Sequence, residues 1–511
     1  MTETALDEQA RQATWLVRRL RAELPELPDG PEALTRMQSD WDAWVSSADI
    51  PVGTPYLISP DLAYDVDLNR FFYSADMLQA SETTRVGYAR DLCAFLTFLS
   101  RNRGGRDWRD ATEDDHTAYL AWRRQDPDGP RIGGSTWDRE VSAVNRFYRW
   151  QVNQGQVSVN PIPQRDRRQE PIGATERHRR AGAEQTPATL SNDNRGAQIH
   201  WLPAGAYVRW RDTGLGGRLS DGRVDPRFRG RWAARNATFA DLMVRTGLRL
   251  GEQSALTTFE VPVGRTSPGY ERFWLPKGIA KGGSARWIYV PASVVSELAT
   301  YARVDRPAVI EEAQALGAYG RLGRNIWVVE GDRALAKRPG GSLVKIGQLS
   351  PDERARLFVE GPGGLEPAAF WLSERGFAVA RSTWKNQFTL ANERCARKGV
   401  AVAAHAHMLR HTFAVLTLEQ LQRGHIAAMG DLNRDQRRHY VRVFGDPLDW
   451  VRRRLGHKSV VTTQIYLHAL EELEMETRMA LVHDAWEDLR GLSSGGVSEE
   501  PPSAALAGSP A

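Results

Sequence analysis

The chain has 511 residues, room for about three domains of ~150 residues each, and its 68 basic and 63 acidic side chains leave a net charge of +5 and a pI near 9.2. That balance suits a polyanionic partner without demanding one. Two cysteines, Cys93 and Cys395, lie far apart in amphipathic stretches and read as small buried hydrophobes, which excludes a disulfide framework or a thiolate zinc site. The polar N-terminus, Met1-Thr2-Glu3-Thr4, lacks a signal-peptide core and no run of roughly 18 apolar residues occurs, so a soluble, cytoplasmic protein is expected.

In chain order, residues 5–48 carry helical spacing, Trp15, Leu16, Leu20 and Leu24 in one segment and Leu34, Met37, Trp41 and Trp44 in the next, so 1–65 is predicted to be a helical N-terminal extension. Over 66–163 a helical domain is predicted. Thr84, Tyr88, Leu92, Phe95 and Leu99 trace one face of a long helix, a second runs from Thr112 to Arg124, and a third from Ser135 to Gln154 turns Val141, Val144, Phe147, Tyr148 and Val152 inward. Asn160-Pro161-Ile162-Pro163 ends it, since proline disfavours helix at and before itself. Residues 164–198 read as a basic linker with Arg165, Arg167, Arg168, Arg177, Arg179 and Arg180, either solvated or placed to touch phosphates. The larger domain, 199–490, is mostly helical, and its clearest β element is a hairpin over Phe273–Pro291 that turns at Gly282-Gly283-Ser284. Stretch 303–366 is rich in glycine and charge, 471–490 reads as helix, and 491–511 as a disordered tail. The fold class is mainly α with a small β-hairpin or sheet.

The residues suited to chemistry gather in the second half. Thr246-Gly247-Leu248-Arg249-Leu250-Gly251-Glu252 sets an arginine one turn from an acid that can orient it. Lys281 stands at the mouth of the hairpin turn. With only seven lysines in the chain, one here is informative, because lysine can release a proton when its pKa is lowered and arginine cannot. Lys277 competes for the same place, since one sequence does not fix the hairpin register. His407 and Arg410 are three positions apart in Ala406-His407-Met408-Leu409-Arg410-His411-Thr412-Phe413-Ala414 and share a helix face, so they can converge on one anion. His457 follows in Leu455-Gly456-His457-Lys458-Ser459, and Tyr466 comes nine residues later. Arginines to neutralise a phosphodiester, histidines and a lysine to move protons, and a phenol to attack it form an inventory for phosphoryl transfer without a metal. His405, His407 and His411 form a His-x-His-x-x-x-His pattern, but no neighbouring acid or thiolate completes a metal set, and His411 reads as packing or hydrogen-bonding beside the site.

In this order, Arg249, Lys281, His407-x-x-Arg410, His457 and Tyr466 resemble the Arg, Lys, His-x-x-Arg, His or Trp, Tyr pattern of the tyrosine recombinases, the phage-integrase family, and Gly247 and Gly456 agree with it. The Thr84, Tyr88, Leu92, Phe95 helix is similar to the opening of that family's core-binding domain. The resemblance implies a helical core-binding domain and an integrase-like catalytic domain that clamp double-stranded DNA. It implies that Arg249 and Arg410 hold the phosphate, that Tyr466 is the nucleophile, that His407 assists its deprotonation while His457 binds a phosphate oxygen, or the reverse, and that Lys281 protonates the leaving 5′-oxygen. It implies no cofactor, metal or ATP. In keeping with that, no Gly-x-x-x-x-Gly-Lys-Ser/Thr loop occurs and Gly214-Leu215-Gly216-Gly217 reads as a glycine turn. Further implications are a homotetramer on two recombination sites with 471–490 as a docking segment, accessory DNA-bending or directionality proteins, and association with the nucleoid. The alternatives are a type IB topoisomerase-like religating enzyme, disfavoured by the helical domain and by His407, and a non-catalytic DNA-binding protein, disfavoured by the complete residue set. Against that family's minimal catalytic core, 303–366 and 420–445 read as insertions, and with the N-terminal extension they favour integration of a mobile element over resolution.

Overall fold

A computed structural model describes residues 14–21, 47, 50–166, 185–191, 193, 199–230, 232–264, 269–322, 326–331, 334–338, 341–430, 446–457, 459, 462–467 and 469. They fall into two compact units, Met1–Ala197 and Gln198–Ala511.

The apolar spacing of the first unit dictates three helices. α1 (Glu82–Asn102) starts at Ser81, whose hydroxyl accepts from Thr84 N, and buries Val86, Ala89, Leu92, Phe95, Leu96 and Leu99. α2 (Glu113–Arg124) opens on a reciprocal Thr112–Asp115 cap, and α3 (Gly134–Asn153) turns Trp137, Val141, Val144, Phe147 and Tyr148 into the same core. Glu140 is buried there but paired, accepting from Tyr119 Oη at 3.0 Å and Arg123 Nε at 2.8 Å.

Two expectations for this unit need correction. Leu16–Arg19, read as helix, is strand β1, antiparallel to β2 (Pro55–Ile58), and Cys93 Sγ donates to Trp15 O at 3.2 Å. A ladder to a distant segment overrides apolar spacing too short to fix a period. The Leu34–Trp44 segment lies outside the described residues. The stretch read as a linker is partly folded: β3 (Gln164–Asp166) pairs with β4 (Gln185–Pro187), and Thr189 O accepts from Trp137 Nε1 at 2.7 Å. Arg165 sits in β3, whereas Arg167, Arg168, Arg177, Arg179 and Arg180 lie outside the described residues.

In the second unit, α4 (Ala204–Trp210) continues into a π-helical turn at Arg211–Leu215, where the sequence suggests only a glycine turn. α5 (Ala233–Thr246) is buried along most of its length, and Phe239 stacks on Trp384 with centroids 3.6 Å apart. α6 (Leu250–Ser254) leads to the hairpin, β5 (Tyr270–Leu275) and β6 (Arg286–Pro291), then to α7 (Ala292–Arg303) and α8 (Asp305–Ala315). The stretch 303–366 is a folded module, so the hairpin is not the main β element. β7 (Trp327–Val329), β8 (Leu335–Lys337), β9 (Val344–Lys345), β10 (Leu357–Gly361) and β11 (Gly364–Pro367) form a sheet of order β11-β10-β7-β8-β9, parallel only at β10–β7. The module braces the hairpin: Gly278 N donates to Gly347 O at 3.0 Å, and buried Arg354 pairs with Glu260 at 3.0 Å. α9 (Arg381–Arg397), α10 (Ala406–Gly430) and α11 (Pro447–Leu455) follow, then a helical turn at 462–467. Residues 431–445 and 471–511, with the docking segment and tail read from sequence, lie outside the described residues. The fold is mainly α with small sheets, and no helix among the described residues is long and apolar enough to cross a membrane.

Gly247 ends α5 at φ +66°, and a Cβ there would lie 2.4 Å from Phe413 Cδ1 on α10. Left-handed strain and overpacking together predict that Gly247→Ala costs about 2–4 kcal/mol. Urea unfolding checks this: the midpoint should fall at unchanged slope, and a wild-type midpoint would contradict it.

Candidate active site

α6 begins at Arg249 because Glu252 accepts both from Arg249 N at 3.0 Å and from Arg249 Nη1 at 2.9 Å. The same carboxylate, 1% exposed, pairs with Arg286 Nη2 of β6 at 2.7 Å and accepts from Lys281 N at 3.3 Å. Burial alone would raise its pKa, but the hydrogen bond and charge of Arg286, joined by Arg249, bring it down to about 2. One buried anion therefore ties the first arginine to the hairpin and to the turn that carries Lys281. Arg286 Nε also donates to Arg454 O at 2.8 Å, which fastens the end of α11 to β6 just before His457.

Arg410, 2% exposed, projects from α10 toward the C-terminal ends of two other helices. Its guanidinium donates to Gly247 O past α5, to Leu455 O of α11 at 2.6 Å, and to His457 Nε2 at 3.2 Å. Carbonyls that helix ends leave unpaired thus meet a cation at the negative ends of two helix dipoles. A ring nitrogen that accepts from arginine carries no proton, so the His457 proton sits on Nδ1 and is donated to Thr463 Oγ1 at 3.0 Å. Burial and then Arg249 lower the Arg410 pKa to about 9, and burial and then Arg410 lower that of His457 to about 4. Among the described residues, Arg249 and Arg286 pair with the carboxylate of Glu252, whose charge also acts on Arg410, a balance that favours an incoming anion.

Tyr466, 1% exposed, lies in the turn 462–467. Its ring is nearly parallel to that of His457, at 11° with centroids 6.3 Å apart, and its Oη is 3.0 Å from His411 Nδ1. Burial raises the pKa of the phenol, and Arg410 and Arg249 act against that. His407 packs edge-on against His411 with centroids 4.2 Å apart. Burial, then His407 and Arg410, push His411 down to about 3, and burial and Arg410 lower His407, so both rings are neutral at neutral pH.

Of the six residues read from the sequence, Arg410, His457 and Tyr466 touch in series, Arg249 and the Lys281 backbone share Glu252, and His407 meets Tyr466 only through His411. Both Lys281 and Lys277 are exposed at the hairpin tip. Sequence reasoning offers His407 first, or else His457, for the deprotonating role, while the ring hydrogen-bonded to the phenol is that of His411, one turn further along α10. The i, i+4 spacing puts the two histidines on one helix face but does not tell which of them meets the phenol. Arg286 was missed as well, although a charged residue at an inward position of an apolar strand marks a buried partner. His405 Nδ1 accepts from Met408 N at 3.2 Å, which occupies it at the start of α10.

Residues 73–155 match the family description "Phage integrase, N-terminal SAM-like domain". The chain is 22% identical over 405 residues to a tyrosine recombinase XerC of Lactobacillus delbrueckii subsp. bulgaricus, covering 78% of this chain and 92% of that protein. It is 26% identical over 387 residues to the tyrosine recombinase XerD of Mycobacterium leprae, covering 75% and 85%. Among solved structures, the XerH site-specific recombinase bound to palindromic difH substrate in a post-cleavage complex aligns at 14% identity and a TM-score of 0.43, over 84% of this chain and 86% of that one. A helical SAM-like domain ahead of this histidine, arginine and tyrosine cluster marks the class of site-specific recombinases. Over three quarters of its length the chain is similar to tyrosine recombinases, and its residues 73–155 match the N-terminal domain of the phage integrases.

The depressed histidines and Glu252 fix the sign of the acid response. For His411 and His457, folded pKa values of about 3 and 4 lie below the ordinary 6.5, so the unfolded chain binds protons first and stability falls as pH drops below about 6.5. Glu252 adds to the loss below about 4.5, its contribution vanishing toward pH 2. The melting midpoint of the DNA-free chain should therefore fall by several degrees between about pH 7 and pH 4. A midpoint that stays level across that window would contradict neutral, half-buried rings.

Proposed function

We propose that this enzyme of site-specific DNA recombination cuts one strand of a duplex by attack of Tyr466 Oη on the scissile phosphate. The products are a 3′-phosphotyrosyl bond and a free 5′-hydroxyl, and attack by a second strand's 5′-hydroxyl reverses the step. The observation that carries this reading is the phenol of Tyr466 beside two neutral histidine rings, next to the buried Arg410. A free phenol has a pKa of ~10, so only about one in a thousand is ionised at neutral pH. It needs a proton acceptor and a cationic field. Arg410 and Arg249 supply the field, and each can place N–H donors on non-bridging oxygens whose charge grows in the transition state. Lys281 is the proposed general acid for the 5′-oxygen, since its backbone shares Glu252 with Arg249 while its side chain is exposed. One phosphoester replaces another, so in this reading rejoining requires no ATP.

The partner in this reading is double-stranded DNA carrying the recombination site, with Arg165, Arg167, Arg168, Arg177, Arg179 and Arg180 as phosphate contacts, a homotetramer as the working form, and accessory DNA-bending or directionality proteins. Integration of a mobile element is the proposed setting, supported by the added length of the chain. Element ends or attachment-site duplications flanking the gene would support that setting, and their absence would count against it.

Two variants test the chemistry. Tyr466→Phe should bind the selected duplex as the wild type does and form no covalent adduct with a nicked suicide substrate, and an adduct of normal yield would sink the assignment. Lys281→Ala should be slower by about 100-fold or more on ordinary DNA, yet cleave a strand with a bridging 5′-phosphorothiolate near the wild-type rate, because a thiolate leaves without that proton. Rescue of Lys277→Ala instead would transfer the role to Lys277.

A further inference from the structure

The six-residue pattern does not include His411, yet its Nδ1 is the nitrogen that faces the Tyr466 hydroxyl, at 3.0 Å. Resting on the reading of Tyr466 as nucleophile, we propose that His411 is the general base, taking the phenolic proton at Nδ1 as Oη attacks phosphorus and returning it when the strand is resealed. For this the ring carries its own proton on Nε2. The step balances: the Oη–P bond forms, the P–O5′ bond breaks, the phenolic proton passes to Nδ1, and the Lys281 ammonium gives a proton to O5′.

The backbone holds the ring where this requires. Both neighbours of His411 in the chain are anchored to other elements. Arg410 donates to Gly247 O and Leu455 O, and Thr412 Oγ1 accepts from Leu202 N at 2.9 Å while donating to Met408 O at 3.0 Å. His411 therefore has little freedom to turn away, and a base that is already in place loses little entropy in acting. His407, four residues earlier and exposed, packs edge-on against the His411 ring and is left free for a phosphate oxygen.

The same surroundings keep the nucleophile silent without DNA. Burial comes first, then His407, Arg410, His405 and His457, all of which face the ring and make it a weak base, while Tyr466 is buried and keeps its proton. A phosphodiester seated against the arginines brings negative charge to that cluster and raises the basicity of the ring. Deprotonation is thereby coupled to occupancy of the site.

The test uses the full chain and a nicked suicide duplex carrying the sequence that the wild type selects from a randomised library. His411→Asn places an amide oxygen near the position of Nδ1, able to accept the phenolic hydrogen bond but not to keep the proton. His411→Ala and His411→Asn are expected to bind the duplex as the wild type does and to form the adduct about 100-fold or more slowly. Added imidazole should restore the Ala variant in proportion to its concentration and leave Tyr466→Phe inert. Adduct formation within about threefold of wild type in either His411 variant overturns the proposal. So does a slow His411→Ala that imidazole leaves slow, which would assign the ring to packing, or imidazole rescue of His407→Ala in its place. If His411→Ala does not fold, the rate of the Asn variant decides. A normal adduct in Tyr466→Phe would instead show that the nucleophile, and not the base, is misassigned.

Discussion

The buried carboxylate of Glu252 is the interaction on which the site depends. It binds the backbone and side chain of Arg249, the side chain of Arg286 and the backbone of Lys281, so a helix start, a strand and a hairpin tip are positioned by one group. Removing one partner of a buried ion pair typically costs about 3–5 kcal/mol, because the charge left behind has no counter-ion. Here the remaining charges would be like-signed guanidiniums. Arg286 passes the constraint on to α11 through Arg454 O, and α11 delivers His457.

Arg410 answers a different need. Helices α5 and α11 both end with unpaired carbonyls near the same point, and the Arg410 guanidinium meets Gly247 O and Leu455 O there. The side chain proposed to grip phosphate is therefore also a joint between three helices. Substitutions at Arg410 would disturb folding together with the proposed chemistry, whereas Tyr466 and Lys281 offer more direct tests of that proposal. Burial first, and then the positive charge that remains among the described residues after Glu252 is counted, depress the histidines, a balance that favours an anion.

The helical unit was legible because the apolar faces of α1 and α3 run for five turns or more, long enough to define a period. The six candidate residues could be picked out because each sits in a short local sequence context. The strands of 303–366 were not, since they are two to five residues long and lie among glycines and charges. Strand β1 was hidden because its partner lies across a long separation. The contact between His411 and Tyr466 was hidden for a related reason. Which histidine of α10 meets the phenol depends on where a chain segment 55 residues later returns, and no local pattern encodes that approach.

The central claim is that a phosphoryl group is carried on Tyr466. Trypsin cleavage after Lys458 and Arg478 releases a peptide from Ser459 to Arg478 in which Tyr466 is the sole tyrosine. Mass spectrometry of the wild-type complex trapped on a nicked duplex, digested with trypsin and nuclease, measures the claim directly. The account predicts a residual nucleotide on this peptide, with fragment ions that place it on Tyr466. A nucleotide on any other peptide, or on a threonine of this one, would contradict it.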